Sequence, residues 1–321
     1  MKKMILTLLV LFSVLTVDGA TPQHSNILRF HGTSAIDHYR VVHINGLKLY
    51  GKTINAYNCE IDFVGATGMT GSSFRNSRIK YLHHEMNIND EEGFDCSNCD
   101  FSGAVIEAGD ACLDSVRECS FMDTELGEEL DIALQGRDLA QTKNFKSKHL
   151  KLKRLWTCAD GIDFSDFVIE KGSYLFLKAA GAKFENTLFQ NCRIIATFSS
   201  DQLKSTANYK KGYFHGLHLV AYGDETCVTF CDTDFSKMTF SDCSFGGHSI
   251  YEFTEFSWKG TILEDTVFAN CDLSNSSDLT LEQVKSTWNY KAGRMSLCKW
   301  PEYIEKALEE EEKAKAQEEK K

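Results

Sequence analysis

Large apolar residues recur at every fifth position along much of this chain. A period of five matches neither the 3.6-residue period of an α-helix nor the two-residue period of a β-strand. It predicts a backbone that turns through the same corner every five residues and points one large side chain inward each time. The series are Cys59, Val64, Met69, Phe74 and Ile79; Cys96, Phe101, Ile106, Ala111, Val116, Phe121 and Leu126; Phe164, Ile169, Tyr174, Ala179, Phe184, Phe189 and Ile194; Phe230, Phe235, Phe240, Phe245 and Ile250; and Phe253, Trp258, Leu263, Phe268 and Leu273.

A second column of smaller residues lies two positions before the first. The positions between the columns are mostly Asp, Asn, Ser, Lys and Glu, as in "CDFSG" and "CSFGG". Ile162, Phe167 and Leu177 break the second column, so we expect some coils to be wider or irregular. Its small members are Cys99, Ala104, Gly109, Cys119, Ala182, Thr187, Cys192, Thr233, Cys243, Thr266 and Cys271.

The two columns resemble the pentapeptide-repeat family, whose units have Leu or Phe at the centre and a small residue two positions earlier. The resemblance covers most of residues 40–275. It implies an all-β solenoid, a right-handed quadrilateral β-helix with four five-residue sides in each coil. In such a fold the backbone pairs with the coils above and below at a spacing of about 4.8 Å, and the large side chains stack in columns.

A segment containing "STxNYK" interrupts this pattern more than once. It reads "LEQVKSTWNYKAGRM" at 281–295 and "QLKSTANYKKGYF" at 202–214, with weaker copies at 139–150 and 36–44. The aromatic residue of each copy begins a new five-residue column, which predicts an entry into the coils. These aromatic residues are Tyr39, Phe145, Tyr209 and Tyr290.

The residues before these aromatics predict short helices. Thr280 with Gln283 has the spacing of a capping box, and Ser199 with Gln202 repeats it. In the last copy, Leu281, Val284 and Trp288 fall on one helical face. We therefore expect the β-helix to be interrupted and capped by short α-helices. The alternative is a surface that presents Thr, Asn and Lys repeatedly to a ligand.

The two ends of the chain differ from the repeats. Residues 1–20, "MKKMILTLLVLFSVLTVDGA", have two lysines, an apolar run and then small residues, as a secretory signal peptide does. The alternative is an uncleaved N-terminal anchor. Residues 302–321 follow Pro301 and predict a capping helix, with Tyr303, Ile304 and Leu308 on its apolar face, and a charged tail. Residues 21–301 would then form the pentapeptide-repeat β-helix in about four modules.

Charge and export restrict the partners. The 321 residues carry a net charge of −11, and removal of residues 1–20 would leave −12. This acidity disfavours nucleic-acid backbones and anionic membranes as partners. No later segment approaches the roughly 20 apolar residues of a membrane helix, so we expect no membrane span after cleavage. The predicted location is exported, either periplasmic or extracellular.

The twelve cysteines suggest disulfides in an exported protein. However, Cys99, Cys119, Cys192, Cys243 and Cys271 occupy the small inner column, where thiols of this size pack without oxidation. "CSNC" at 96–99 has the spacing of a redox or zinc motif, but its two cysteines fall on the large and small columns. Core packing is the favoured interpretation, while a pair such as Cys227 with Cys231 stays open.

Few residues suggest catalysis or metal binding. His83, His84 and Glu85 are adjacent, and neighbouring side chains of an extended segment point to opposite faces, so a loop pair is favoured over a metal site. No HExxH, GxSxG or phosphate-loop motif occurs. Asp232, Asp234 and Asp242 take outward positions, where they are solvated or bind calcium weakly. We assign no catalytic, metal or cofactor-binding residue.

Three functions remain for comparison. The first is an exported, non-catalytic scaffold that binds another macromolecule, expected to be a protein, through a rigid acidic face, and whose coils could also stack end to end as a dimer. The second is a β-helix enzyme acting on polysaccharide with acid and base carboxylates, although the strict five-residue period tells against its longer, irregular coils. The third is a mimic of duplex DNA that binds topoisomerase, which would require a cytoplasmic chain. We expect the first.

Overall fold

The computed structural model describes residues 27–31, 40–48, 53–67, 70–82, 96–111, 116–196, 198–220, 230–248, 253–254 and 256–318. The described chain forms a parallel β-solenoid of about eight turns with a few short helices, which confirms the predicted all-β solenoid. It divides into two compact units, Met1–Glu125 and Leu126–Lys321. The segments 1–26 and 32–39, which include the expected signal peptide and the copy at Tyr39, lie outside the described residues.

The first unit contains parallel strands. Strands β1 and β3 pair with each other, and β2, β4, β5 and β6 pair in that order. Within this unit the rings of Phe74, Phe101 and Phe121 stack at centroid distances of 5.3 and 5.5 Å. The strands are β1 (Ile27–His31), β2 (Arg40–Lys48), β3 (Thr53–Tyr57), β4 (Cys59–Thr67), β5 (Arg78–Ile79) and β6 (Val105–Ala111).

The second unit contains most of the remaining strands. They are β7 (Glu125–Gln135), β8 (His149–Leu150), β9 (Arg154–Cys158), β10 (Val168–Glu170), β11 (Ser173–Leu177), β12 (Leu188–Gln190), β13 (Arg193–Ala196), β14 (Tyr213–His215), β15 (His218–Val220), β16 (Thr239–Ser241), β17 (Ser244–Phe245), β18 (Gly247–His248), β19 (Phe253–Thr254), β20 (Phe256–Ser257), β21 (Val267–Ala269) and β22 (Ser276–Ser277). Parallel sheets run in the orders β7-β9-β11-β13-β15-β17, β8-β10-β12, β14-β16-β21 and β20-β22. The β18–β19 pair is antiparallel.

In the middle of the second unit, one turn of the solenoid takes 20 residues, the length of four five-residue steps. Val168 pairs with Leu188, and Tyr174 pairs with Ile194, so each residue lies beside the residue 20 positions later. Farther along the chain the step lengthens to 28 between Thr239 and Val267. The five-residue columns therefore stack in register, and the longer turns accommodate additional segments.

The corners of the turns explain the polar residues between the columns. Residues two positions after a large inward side chain adopt the left-handed αL conformation, as Asn76 does after Phe74 and Asp166 after Phe164. Asn and Asp enter this region more readily than other non-glycine residues. Within the described part of the chain, the non-glycine residues with positive φ are Asn58, Asn76, Asn98, Glu118, Asp123, Lys148, Asp166, Lys171, Lys178, Asn186, Asn191, Asp232, Lys237, Asp242, Asp265, Asn270 and Asp278.

The irregular members of the small column have two explanations. Phe167 is buried and makes edge contacts with Phe164 at 5.5 Å and with Phe145 at 4.8 Å. Leu177 was assigned to the inner column, and this assignment is wrong. It lies on the outer side of β11, where it packs against a separate apolar cluster that contains Leu175. Strand β11 has five residues, so successive side chains alternate between the inside and the outside.

Short helices interrupt the second unit. They are α1 (Gly136–Leu139), α2 (Lys143–Lys146), α3 (Ser200–Ser205), α4 (Ala207–Lys211), α5 (Leu281–Ser286), α6 (Trp288–Lys291) and α7 (Glu302–Glu318), with 3₁₀ turns at Ala179–Gly181 and Met295–Leu297. Both predicted capping boxes are present, at the start of α3 and of α5. None of the described helices is long and apolar enough to span a membrane.

The single apolar helix face predicted for the last copy is wrong. The first helix ends at Ser286, and Thr287 caps a second helix. Val284 is buried, whereas Trp288 begins the new helix and is 40% exposed. The extended backbone of Thr287 therefore turns Trp288 away from the core.

Candidate functional site

The threonine of each described "STxNYK" copy holds two short helices together. In the second copy, Thr206 Oγ1 accepts a hydrogen bond from the N–H of Tyr209 at 3.2 Å and donates to the carbonyl of Leu203 at 2.7 Å. Thr142 and Thr287 make the corresponding pairs of bonds. This side chain satisfies a free donor at the start of one helix and a free acceptor at the end of the preceding segment.

The asparagine takes the place of a β-strand. Asn208 Oδ1 accepts a hydrogen bond from the N–H of Phe189 at 2.8 Å, and its Nδ2 donates to the carbonyl of Phe189 at 2.8 Å. Asn289 binds both groups of Phe268 at 2.8 Å, and Asn144 binds both groups of Leu126 at 2.7 and 2.9 Å. We use the term asparagine clamp for an Asn side-chain amide that bonds both the N–H and the carbonyl of one residue on the preceding turn.

The lysine and glutamine of these segments also bind the fold. Lys210 contacts Glu185 and the side-chain oxygen of Asn186, at 2.8 Å from the latter. Gln202 donates from Nε2 to the carbonyls of Ala179 and Ala182 at 2.6 and 2.7 Å. In the last two copies the Thr and Asn side chains are buried. The recurring segment is therefore structural, and the alternative of a Thr and Asn ligand surface is wrong.

The cysteines are buried or half-buried thiols. None of the ten cysteines in the described residues forms a disulfide, and Cys96 and Cys99 are both buried, as core packing predicts. The described residues contain no group of three or more His, Cys, Asp and Glu side chains suited to a metal ion. Cys227 and the group His83, His84 and Glu85 lie outside the described residues, so their assignments stay predictions.

Three thiols stack on consecutive turns near the end of the second unit. Cys243, Cys271 and Cys298 occupy matching positions, and each donates to a backbone carbonyl, at 3.6, 3.4 and 3.0 Å. The hydrogen bond to Cys271, together with burial, raises the pKa of Cys243 and of Cys298. Cys243 and Cys298 are therefore protonated thiols at neutral pH.

The three aspartates singled out from the sequence are exposed, but they do not share one side of the turn. Asp232 and Asp242 lie at separate αL corners, and Asp234 lies on a flat side between Cys231 and Lys237. A hydrogen bond from Ser236 lowers the pKa of Asp234. Asp232 and Asp234 are therefore neighbours on one side, whereas Asp242 belongs to another.

Lysines neutralise two aspartates of an earlier turn, of which Asp163 takes the position of Asp234, one residue before an inward Phe. Asp166 lies 2.9 Å from Lys148 Nζ, and Asp163 lies 3.9 Å from Lys183 Nζ. No such lysine or arginine bridge reaches Asp232 or Asp234 within the described ranges. The charge of Lys204 adds to the Ser236 hydrogen bond in lowering the pKa of Asp234, but no described lysine or arginine forms an ion pair with either aspartate.

A second grouping of functional side chains lies on the flat side formed by β14, β16 and β21. Ser241 Oγ is 3.0 Å from Tyr213 Oη and 2.8 Å from His215 Nδ1. Asp242 Oδ2 is 3.4 Å from the same His215 nitrogen, and its Oδ1 accepts from Asn270 Nδ2 at 2.7 Å. Residues from three consecutive turns thus meet on one face.

This grouping does not have the geometry of a Ser-His-Asp triad. Both Ser241 and Asp242 contact Nδ1 of His215. A proton relay needs the nucleophile on one ring nitrogen and the carboxylate on the other. The arrangement orients the histidine ring and does not activate the serine.

No local sequence pattern predicts this grouping, because its members are far apart in the chain. Tyr213, Ser241 and Asn270 meet only through turns of 26 and 28 residues, whose length follows from inserted segments and not from the five-residue period. Comparison with protein-family models, with curated proteins and with solved structures finds no match to this chain.

Proposed function

We propose that this protein is a non-catalytic scaffold that binds another macromolecule, expected to be a protein, through a rigid acidic surface at the C-terminal part of its solenoid. Residues 1–20 support export as the setting in which it works, because they have the pattern of a secretory signal peptide. The main support for this proposal is the exposed pair Asp232 and Asp234. Among the described ion pairs, none joins either carboxylate to a lysine.

The rigidity of this surface follows from its hydrogen bonds. Around the pair, the N–H of Asp232 donates to the carbonyl of Lys259 at 3.0 Å, and the N–H of Phe235 donates to Ile262 at 2.9 Å. Phe235 is buried beneath the surface and packs against Phe230 at 4.6 Å. The carboxylates are therefore held by a fixed backbone, which reduces the entropy lost on binding.

The charge of the chain is concentrated in the same region. Residues 230–321 contain 18 Asp and Glu and 11 Lys and Arg, a net charge of −7 out of −11 for the whole chain. Helix α7 contributes to it with exposed Glu305, Glu310 and Glu312. A surface of one sign steers oppositely charged partners and raises their association rate. A basic protein surface is the partner that fits.

The test compares two double charge reversals of exposed aspartates on different turns. Asp232→Lys with Asp234→Lys changes the exposed pair, and Asp163→Lys with Asp166→Lys makes the same change where lysines already neutralise the carboxylates. Each full-length protein is immobilised and exposed to a cell-envelope extract. The proposal predicts a protein that the wild type and the second variant retain and the first variant loses. Equal retention by all three proteins would contradict it.

A control for folding and an assay for hydrolysis complete the test. Both double variants should keep the far-ultraviolet circular dichroism of the wild type, because all four positions are surface positions of the turns. Hydrolysis of envelope polysaccharide by the wild type, without a retained protein, would instead support the enzyme alternative.

A further inference from the structure

The side formed by β14, β16 and β21 has no Lys, Arg, Asp or Glu at its outward strand positions. Its outward residues contribute hydroxyl groups, aromatic rings and small apolar groups, and none has a permanent charge. They are Tyr213 and His215, Thr239 and Ser241, and Val267 and Ala269. The outward strand residues of three consecutive turns are therefore uncharged.

Two rings on this side form a fixed aromatic platform. Tyr213 is 47% exposed, and its ring is parallel to that of His215 within 7° at a centroid distance of 6.0 Å. Ser241 Oγ, on the strand of the next turn, contacts the polar atoms of both rings. One hydroxyl group therefore fixes the orientations of the Tyr213 and His215 rings. An exposed tyrosine ring offers an apolar face with a polar tip, and few rotatable bonds are lost when it binds.

Hydrogen-bonding groups border the platform at the next corner. Asp242 and Asn270 lie on adjacent turns, and the amide of Asn270 donates to the carboxylate of Asp242 at 2.7 Å. The second carboxylate oxygen faces His215 Nδ1 at 3.4 Å. A carboxylate and an amide side by side supply acceptors and donors to adjacent hydroxyl groups of a ligand.

The combination matches the chemistry of a neutral sugar chain. A pyranose ring has an apolar face of C–H groups, which packs on an aromatic ring, and a rim of hydroxyl groups, which pairs with carboxylate and amide groups. Adjacent rungs of the solenoid lie about 4.8 Å apart, which is close to the length that one pyranose residue adds to an extended chain. The carboxylate of Asp242 would repel an anionic ligand, whereas the hydroxyl groups of a neutral ligand can donate hydrogen bonds to it.

We infer that the face carrying Tyr213, His215, Ser241, Asp242 and Asn270 binds an uncharged polysaccharide, with one sugar ring packed on Tyr213 and its hydroxyl groups bound by Asp242 and Asn270. This face is separate from the Asp232 and Asp234 surface, so either inference stands or fails without the other.

The test measures binding of three uncharged hexasaccharides by calorimetry. Cellohexaose, maltohexaose and the hexamer of N-acetylglucosamine are each titrated into the full-length protein. The inference predicts that at least one of them binds, with an affinity that is the same at low and high salt because no charge pair forms. It is overturned if none binds, or if polygalacturonate binds and the three uncharged sugars do not.

Variants then locate the site. Tyr213→Ala should weaken binding at least about tenfold, which corresponds to the loss of about 1.4 kcal/mol, and Tyr213→Phe should retain most of the affinity because the ring remains. Asp242→Ala should weaken binding by a similar factor. Ile262→Ala removes another exposed apolar side chain, on a different side of the turn, and should bind as the wild type does. Unchanged affinity of Tyr213→Ala would overturn the inference.

Discussion

The side-chain amide of Asn208 binds both the N–H and the carbonyl of Phe189, each at 2.8 Å. A single side chain thereby supplies the two hydrogen bonds that the next strand of the solenoid would otherwise provide. Asn289 repeats this relationship with Phe268. The asparagine clamp allows two short helices to enter the stack while the backbone of the preceding turn keeps its partners.

Removal of the clamp should destabilise the fold. Asn208→Ala leaves the N–H and carbonyl of Phe189 buried without those partners, which we expect to cost about 3 kcal/mol of unfolding free energy. Asn208→Asp should also be destabilising, because a carboxylate cannot donate to the carbonyl. Urea denaturation measures both changes. Asn275→Ala, at an exposed position, is the control, and equal stability of the two alanine variants would contradict the role of the clamp.

The αL corners should tolerate flexible or small residues and reject β-branched ones. Lys237 has φ of 61° and is exposed. Lys237→Val should lower the unfolding free energy by about 1–2 kcal/mol, because a β-branched residue is strained in this conformation, whereas Lys237→Gly should be close to neutral.

Lys259 provides the matched control for this prediction. It is exposed and lacks a positive φ, so Lys259→Val should change stability little. Thermal and urea denaturation of the three variants give the comparison. A valine at 237 that is no more harmful than the one at 259 would show that the corner conformation does not select the residue.

Helix α7 should protect the last turn from association. Ile304 is buried, and Tyr303 Oη accepts from the N–H of Leu279 at 3.1 Å and donates to Ser276 at 3.4 Å. Ile304→Asp buries an unpaired carboxylate, so we expect the helix to detach at a cost of about 3 kcal/mol. The uncovered backbone groups should then pair between molecules.

Sedimentation velocity at increasing protein concentration measures this association. Ile304→Asp should form larger species as the concentration rises, and Glu310→Ala, at an exposed position of the same helix, should sediment as the wild type does. A detached helix, seen as loss of helical circular dichroism, without any association would refute the protective role of α7.

The buried thiols should make the free energy of unfolding fall as the pH rises in the alkaline range. Burial raises the pKa of Cys192 to about 12, whereas a thiol in the unfolded chain ionises near about 8.5. Below the pKa of the unfolded-state thiol, both the folded and the unfolded state hold the proton, and the buried thiol contributes its full stabilisation. Between the two values only the unfolded state loses its proton, so folding stability falls as the pH rises toward the folded pKa.

Cys192→Ala isolates this contribution. The wild type should lose up to about 1.4 kcal/mol per pH unit more than the variant between the two pKa values. Urea denaturation at several alkaline pH values gives the difference. A difference between the two proteins that stays constant with pH would mean that the thiol ionises equally in both states.

The five-residue period predicted the solenoid because it depends only on local spacing. Phe164 and Phe184 are one turn apart, and their rings stack at 5.4 Å as the column predicts. The capping boxes were also predictable, because Ser199 and Gln202 are close in the chain. Local patterns thus sufficed for the inner columns and for the starts of the helices.

The remaining features depend on contacts between distant segments. The asparagine clamp joins Asn208 to a residue 19 positions earlier. No local sequence pattern predicts that a side-chain amide takes the hydrogen bonds of a neighbouring strand. The failure at Trp288 came from extending one helical period across Thr287, where the helix restarts. Predicting the face at Tyr213 would require the length of each turn, and inserted segments determine these lengths.

The most direct test of the proposed scaffold is the salt dependence of its capture of a partner. Full-length wild type, the Asp232→Lys and Asp234→Lys variant and the Asp163→Lys and Asp166→Lys variant are each exposed to the same envelope extract. We expect one protein that the wild type and the second variant retain at low salt and that the first variant fails to retain. Raised salt should release it, because the attraction between the acidic surface and a basic partner is screened within about 10 Å at 0.1 M. Retention of the same protein by all three, unaffected by salt, would contradict binding through this acidic surface.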